Sequence, residues 1–312
     1  LGSHITPGNL SKLRPCPEAS GQPHRIGVII PQHYDHHSGN IIRGIVTTLP
    51  FPEYFINITL GNDKHLEEYG LNYFIKQGYS GIILFPTDFE FYSDTILKMS
   101  LNKYPLVLID RAFPGIHCMS VTCDNAQACF LGITHLTALG HRGIAFIADA
   151  PYREQITRLR YDSYLNVMTG QGLAGISYEN FFHAADAADK RRHFLERVKR
   201  REITAAITSN AHAAVRLYQL CLEAKLQVPR DLSLLCFDNP NFCKQPLDNF
   251  FTYLEQNSLD MGRQAALLLQ RALSTDTNQD MPSIVLTPRL IVNASTSRAF
   301  TITNITASKS IQ

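Results

Sequence analysis

Leu226-Gln227-Val228-Pro229-Arg230-Asp231-Leu232-Ser233-Leu234-Leu235-Cys236-Phe237-Asp238-Asn239 is the stretch from which the fold can be read. Pro229 has no amide hydrogen and restricts Val228, so a helix ahead of it has to stop. Residues 232–237 are dominated by apolar side chains, the pattern of a strand covered on both faces in a parallel sheet. The run ends at Asp238-Asn239-Pro240-Asn241, a polar loop. A carboxylate thus stands at the carboxyl end of a buried strand, where open α/β sheets bind ligands. The alternative for an isolated example is that Asp238 only caps a turn.

Working outward, the same unit recurs. Upstream, apolar strands are expected at 25–30, 54–60, 81–86 and 105–109, the last closing on Asp110-Arg111. Helices with inward apolar stripes are expected from near Asn40 to Leu49 and over 64–77. After Ser120-Val121-Thr122 the pattern restarts. Asn125 is expected to cap a helix running to Leu139, followed by strands at 143–147, 180–182 and 205–208. Helices are expected over 158–171, 186–201 and 211–224, then a last helix at 258–273 and two late strands at 284–286 and 290–292. Strands alternating with helices give βαβ units, and right-handed crossovers put all strand ends on one edge.

The bulk numbers agree with this reading. A chain of 312 residues with 45% hydrophobic and 18% charged residues suits two α/β domains with sizeable cores. A formal net charge of +2 gives no strong pull toward nucleic acid or membranes. The seven cysteines show neither metal nor disulfide spacing and read as reduced core residues. No apolar run approaches the ~18 residues of a spanning helix, and no secretory leader is read at the start, so a cytoplasmic protein with no membrane partner is expected. Leu1-Gly2-Ser3-His4 resembles the residue of a cleaved tag, and 1–24 as a whole is expected to be tag and linker. The polar tail 299–312 is expected to be disordered.

Several motifs then resemble, in order, the lactose-repressor/galactose-repressor family of transcription regulators. They are Ile42-Arg43-Gly44-Ile45, Gly81-Ile82-Ile83-Leu84, Leu108-Ile109-Asp110-Arg111 and Val121-Thr122-Cys123-Asp124-Asn125. Leu139-Gly140-His141-Arg142-Gly143, Val228-Pro229-Arg230-Asp231 and Phe237-Asp238-Asn239 complete the series. The resemblance spans roughly residues 24–297. It implies two doubly wound parallel-sheet α/β lobes joined by three crossovers, the type I periplasmic-binding-protein-like fold. The lobes implied are 25–123 plus 253–285 and 124–252 plus 286–298, with crossovers near 123–125, 252–256 and 283–287.

It also implies the function: a non-enzymatic effector-binding and dimerisation domain, closing on a monosaccharide and altering operator binding by an N-terminal helix-turn-helix. The 24 residues ahead of the first strand are too few and too Pro-rich for that headpiece, so DNA contact is expected only through a headpiece absent here. The alternative is a periplasmic sugar-binding protein of a transport system. No cofactor is expected.

Carried over by motif position, the effector site should comprise Asp110, Arg111, Asp124, Arg160 in Thr157-Arg158-Leu159-Arg160-Tyr161, Asn210, Asp238 and Gln256. Such groups suit a polyol, because each accepts from one hydroxyl or donates to its neighbour. Competing roles stay open. Arg111 could pair structurally with Asp110 or Asp124, Asn210 could only cap a helix, and Gln256 could only bond the hinge backbone. The first loop departs from the family, reading Asp35-His36-His37-Ser38 where aromatic residues are usual. Asp35 is expected to accept from a hydroxyl, and His37 or Tyr34 to supply a smaller stacking face. His33, Asp35, His36 and His37 lack a distant fourth ligand, so no metal is expected. The basic run 190–201 interleaves Phe194, Leu195 and Val198 and reads as a solvated helix face. No phosphate loop, nucleophile elbow or arranged Cys–His pair is present.

Overall fold

A computed structural model describes residues 23–31, 36–61, 63–87, 92–113, 115–152, 154–240, 249–274 and 282–299. The tag-like start, most of the linker, Asp35 with His33 and Tyr34, and residues 300–312 of the tail lie outside them. In the first half, β1 (His24–Ile30), α1 (His36–Thr48), β2 (Tyr54–Leu60), α2 (Lys64–Lys76) and β3 (Gly81–Leu84) come first. They are followed by α3 (Asp94–Leu101), β4 (Leu106–Ile109) and β5 (Met119–Cys123). The second half runs α4 (Asn125–Ala138), β6 (Ile144–Ile147), α5 (Gln155–Gly170), β7 (Ile176–Tyr178) and α6 (Ala187–Lys199). It continues with β8 (Ala205–Thr208), α7 (Ala211–Glu223), β9 (Ser233–Phe237) and β10 (Thr252–Glu255). The chain then closes with α8 (Ser258–Ser274), β11 (Ser283–Leu286) and β12 (Arg289–Ile291).

Two six-stranded sheets result, ordered β11-β5-β4-β3-β1-β2 and β12-β10-β9-β8-β6-β7. Strand for strand the two orders correspond, so the repeated βα rhythm is one topology used twice. All pairings are parallel except β10 with β12. Each sheet is covered on both faces. In the first, Ile41, Ile45, Met261 and Leu269 of α1 and α8 fill one side, and Leu71, Phe74, Ile96 and Met99 of α2 and α3 the other. In the second, α4 and α5 bring Ile133 and Tyr164 to one face, and α6 and α7 bring Phe194 and Leu217 to the other. Two-sided burial is why β3, β4, β6, β8 and β9 are buried along their whole length.

The chain changes sheet after β5, after β10 and between β11 and β12. Since β10 pairs with β9, residues 252–255 lie in the second sheet, and the return to the first follows at 256–257. On the first lobe α1 and α8 approach so closely that a Cβ at Gly44 would stand 2.2 Å from the Leu259 carbonyl oxygen. One at Gly262 would stand 2.1 Å from that of Ile41. The Ile42-Arg43-Gly44-Ile45 motif is therefore a packing requirement. His141 is scaffold as well, its ring nitrogens 2.9 Å from Thr204 Oγ1 and 2.9 Å from the Ser297 carbonyl. Asp231 accepts from the Gln227 amide at 2.8 Å and from Arg201 at 3.0 Å, which closes the turn of the opening stretch.

Four local expectations are corrected. The strand read at 180–182 is instead β7, because Asn180 adopts φ +47° and breaks the extended run; Phe181 and Phe182 pack on the core from a turn. Helix α1 begins at His36 rather than near Asn40, making His37 and Ser38 part of its first turn. The cap of α4 is Asp124, whose carboxylate accepts from the Gln127 amide at 2.9 Å, and not Asn125. Helix α3, between β3 and β4, was not anticipated.

Candidate functional site

The carboxyl ends of β4 and β9 carry the two residues that organise the site. Asp110 follows β4 and Asp238 follows β9, the corresponding strands of the two sheets. Both adopt the left-handed backbone, at φ +66° and +65°. The Asp110 amide donates to Val121 O at 2.8 Å and the Asp238 amide to Leu254 O at 3.0 Å, again corresponding positions on β5 and β10. A non-glycine residue in this conformation is uncommon and costs free energy, although Asp tolerates it better than most. Here it turns each chain sharply off its strand at the same place.

His37, on the first turn of α1, lies between the two carboxylates. Its Nε2 is 3.0 Å from Asp110 Oδ1 in hydrogen-bond geometry, and its Nδ1 is 3.4 Å from Asp238 Oδ1. The ring meets the Phe85 ring edge-on, with centroids 6.1 Å apart, so its nitrogens face the acids and it does not offer the open stacking face expected of it. Gln256 donates to both oxygens of Asp238, at 2.8 and 3.0 Å.

Arg111 lies with Nε 3.6 Å from Asp110 Oδ2 and donates to the Pro86 and Thr87 carbonyls at 2.9 and 3.2 Å. It sits over the Phe85 ring at 5.3 Å. Arg160 is only 4% exposed and donates to Asn125 Oδ1 at 2.8 Å and to Ser209 O at 2.6 Å. Its guanidinium stacks 4.0 Å from the Phe237 ring centre, a cation–π arrangement.

Electrostatics mark out Asp110. Burial alone would raise the Asp110 pKa, but the His37 hydrogen bond and the charges of His37, Arg111 and Arg160 outweigh it and hold the carboxyl down at about 2. Burial pulls the Arg111 guanidinium below its ordinary value, opposed by Asp110, Glu154 and Glu67. Burial also pushes the Cys123 thiol up to about 12, so it stays protonated.

The structure brings His37, Asp110, Arg111, Asp238 and Gln256 into contact, with Arg160 in the electrostatic field of Asp110. Asn210 stands at the N-terminus of α7, where its side chain accepts from the Ala213 amide at 2.8 Å. Asp124 is exposed and engaged as the α4 cap, outside the cluster. Sequence reasoning passed over Asn125, Ser209, Phe85 and Phe237. The first two anchor Arg160 and the others underlie the two guanidinium groups. An aromatic immediately before Asp238 was the available signal. Among the described residues no group of three or more His, Cys, Asp or Glu is arranged to hold a metal ion. No helix among them is long and apolar enough to cross a membrane.

Two α/β lobes with polar side chains from both meeting at their strand ends define the class of bilobal, hinge-linked ligand-binding cores. Comparison with known proteins agrees. Residues 133–296 match the family of periplasmic binding protein-like domains, and the chain belongs to it. The arabinose metabolism transcriptional repressor of Geobacillus stearothermophilus is 28% identical over 91% of this chain and 79% of its own. Among solved structures, the transcription regulator CcpA of Lactococcus lactis superposes with TM-score 0.74 at 21% identity, over 88% of this chain and 100% of that one. A LacI family regulator from Enterococcus faecium, solved with bound ribose, gives 0.72 at 20% identity over 88% and 100%. The resemblance to the lactose-repressor/galactose-repressor family and the two-lobed α/β fold it implied are thus borne out.

Proposed function

We propose that this chain is the effector-binding and dimerisation core of a cytoplasmic transcription regulator, and that its lobes close on a monosaccharide without turning it over. What carries the reading is the convergence of Asp110 with Arg111, from one lobe, and Asp238 with Gln256, from the other, on a single cleft edge. A neutral polyol needs paired acceptors and donors of this kind, and a hydroxyl left unpaired there is penalised, which discriminates between epimers. Asn210, at the N-terminus of α7, is read as a further donor from the second lobe. The repressor name of the relative favours a regulator over a transport protein, and the bound ribose of the Enterococcus faecium structure supports a sugar effector.

Closure rotates the lobes about the crossings at 123–125, 256–257 and 287–288. Arg160 couples to the first of these through Asn125, which also donates to Cys123 O at 3.2 Å. In a dimer this rotation would reset the spacing of attached DNA-binding heads, a coupling of about 1–3 kcal/mol. A second copy suits the first lobe's apolar flank: β2 is an edge strand, and Phe55, Ile58, Leu60, Tyr69 and Tyr73 are exposed along it and α2.

Thermal-shift screening of pentoses, hexoses and their phosphates tests the reading. A neutral sugar should raise the melting temperature of the chain and not that of Arg160→Ala or Asp238→Ala. A hit that stabilises both variants as well as the parent refutes the site.

A further inference from the structure

A second property is built into the same cleft and does not depend on which effector binds, only on the two-lobe arrangement. His37 is carried by α1 of the first lobe, and Asp238 follows β9 of the second, so the contact between them crosses from lobe to lobe. Both ring nitrogens face carboxylate oxygens, at 3.0 and 3.4 Å. A neutral imidazole has one donor and one acceptor nitrogen, so one of the two contacts would set a lone pair against a carboxylate. Only the imidazolium donates on both sides.

The other groups around the ring bear on this. Asp110 shares its second oxygen with Arg111, and Asp238 is held in place by Gln256, so both acceptors are fixed before the ring arrives. Arg111 and Arg160 act on Asp110 and oppose a further cation. The N-terminal end of α1 also disfavours positive charge. Against these stand two carboxylates, Asp110 in a hydrogen bond at 3.0 Å and Asp238 in ion-pair contact at 3.4 Å, in a buried setting where charge attraction is strongest. Phe85, edge-on to the ring, keeps the contact largely dry.

We infer that His37 is a proton-operated latch: as the imidazolium it ties Asp110 of one lobe to Asp238 of the other and holds the cleft closed without effector. Loss of its proton removes the charge that attracts Asp238 across the cleft, and the lobes are released. Effector-free closure is therefore strongest in mild acid and declines as pH rises through the range in which histidine deprotonates.

Small-angle scattering of the effector-free 312-residue chain at pH 5.5 and 8.5 reads this directly. The radius of gyration should be smaller at pH 5.5, and His37→Gln, which keeps a donor without a titrating charge, should show no difference between the two. If His37→Gln does not fold, Asp238→Asn removes the second-lobe anchor and leaves His37 intact. It too should abolish the difference, with circular dichroism confirming its fold. Equal dimensions of the parent at both pH values, or the same pH response in both folded variants, overturns the latch.

Discussion

Asp110 and Asp238 occupy one structural address in two lobes, with the same place after a central strand, the same left-handed backbone and the same amide bond to the neighbouring strand. Their settings nevertheless differ. Asp110 is buried against Arg111 and is held ionised far into acid. Asp238 is 17% exposed, accepts from the neutral Gln256 and faces His37 across the cleft. The corresponding position on β5 is Cys123, an apolar thiol with little to donate. A duplicated topology thus supplies the geometry, and the residues around each acid decide whether it is a fixed charge or an exchangeable acceptor.

The largest effect should come from breaking the fixed side. Asp110→Ala leaves Arg111 buried without its carboxylate and should cost roughly 3–5 kcal/mol in urea denaturation. Asp238→Ala leaves His37 still bonded to Asp110 and should cost clearly less. Equal losses would mean the two addresses are electrostatically alike. For effector affinity the order should reverse in kind. On the proposed reading, Asp238→Ala should lose charge-assisted bonds to the sugar worth about 1.5–3 kcal/mol, roughly a 10- to 150-fold weaker dissociation constant, while still folding.

Acid titration sharpens the contrast further. Asp110 has its pKa depressed to about 2 in the folded chain, so the stability it adds is present above about pH 4 and lost as pH falls toward 2. That contribution is on the order of 2 kcal/mol. In Asp110→Asn the fall in stability over this window should shrink by that amount.

The smallest effects separate two helix caps. Asp124 and Asn210 each accept from the third amide onward, Gln127 and Ala213. Either change to Ala should cost about 1 kcal/mol of stability. Only Asn210→Ala should also weaken the effector, since Asp124 is exposed and outside the cluster.

Much of this architecture was legible because buried parallel strands announce themselves as apolar runs, and Asp110 and Asp238 stand where those runs stop. Gly44, His141 and Asp231 could be matched to a family, yet only coordinates reveal that they serve packing and loop closure rather than the ligand. Asp124 and Asn125 were exchanged for a physical reason. Either residue type can cap a helix, and only tertiary contacts turn Asn125 inward to hold Arg160. The His37 bridge was beyond reach, because its two partners lie far along the chain and meet only after both lobes have formed.

Calorimetric titration of the best sugar from the screen into the chain, Asp238→Ala and Arg111→Ala tests the central claim most directly. The two variants remove one hydrogen-bonding group from each lobe. If both lobes grip one ligand, the parent should bind one sugar per chain and each variant should lose roughly tenfold or more in affinity. Undiminished affinity in either variant would mean that its lobe takes no part, and the shared cleft would have to be abandoned.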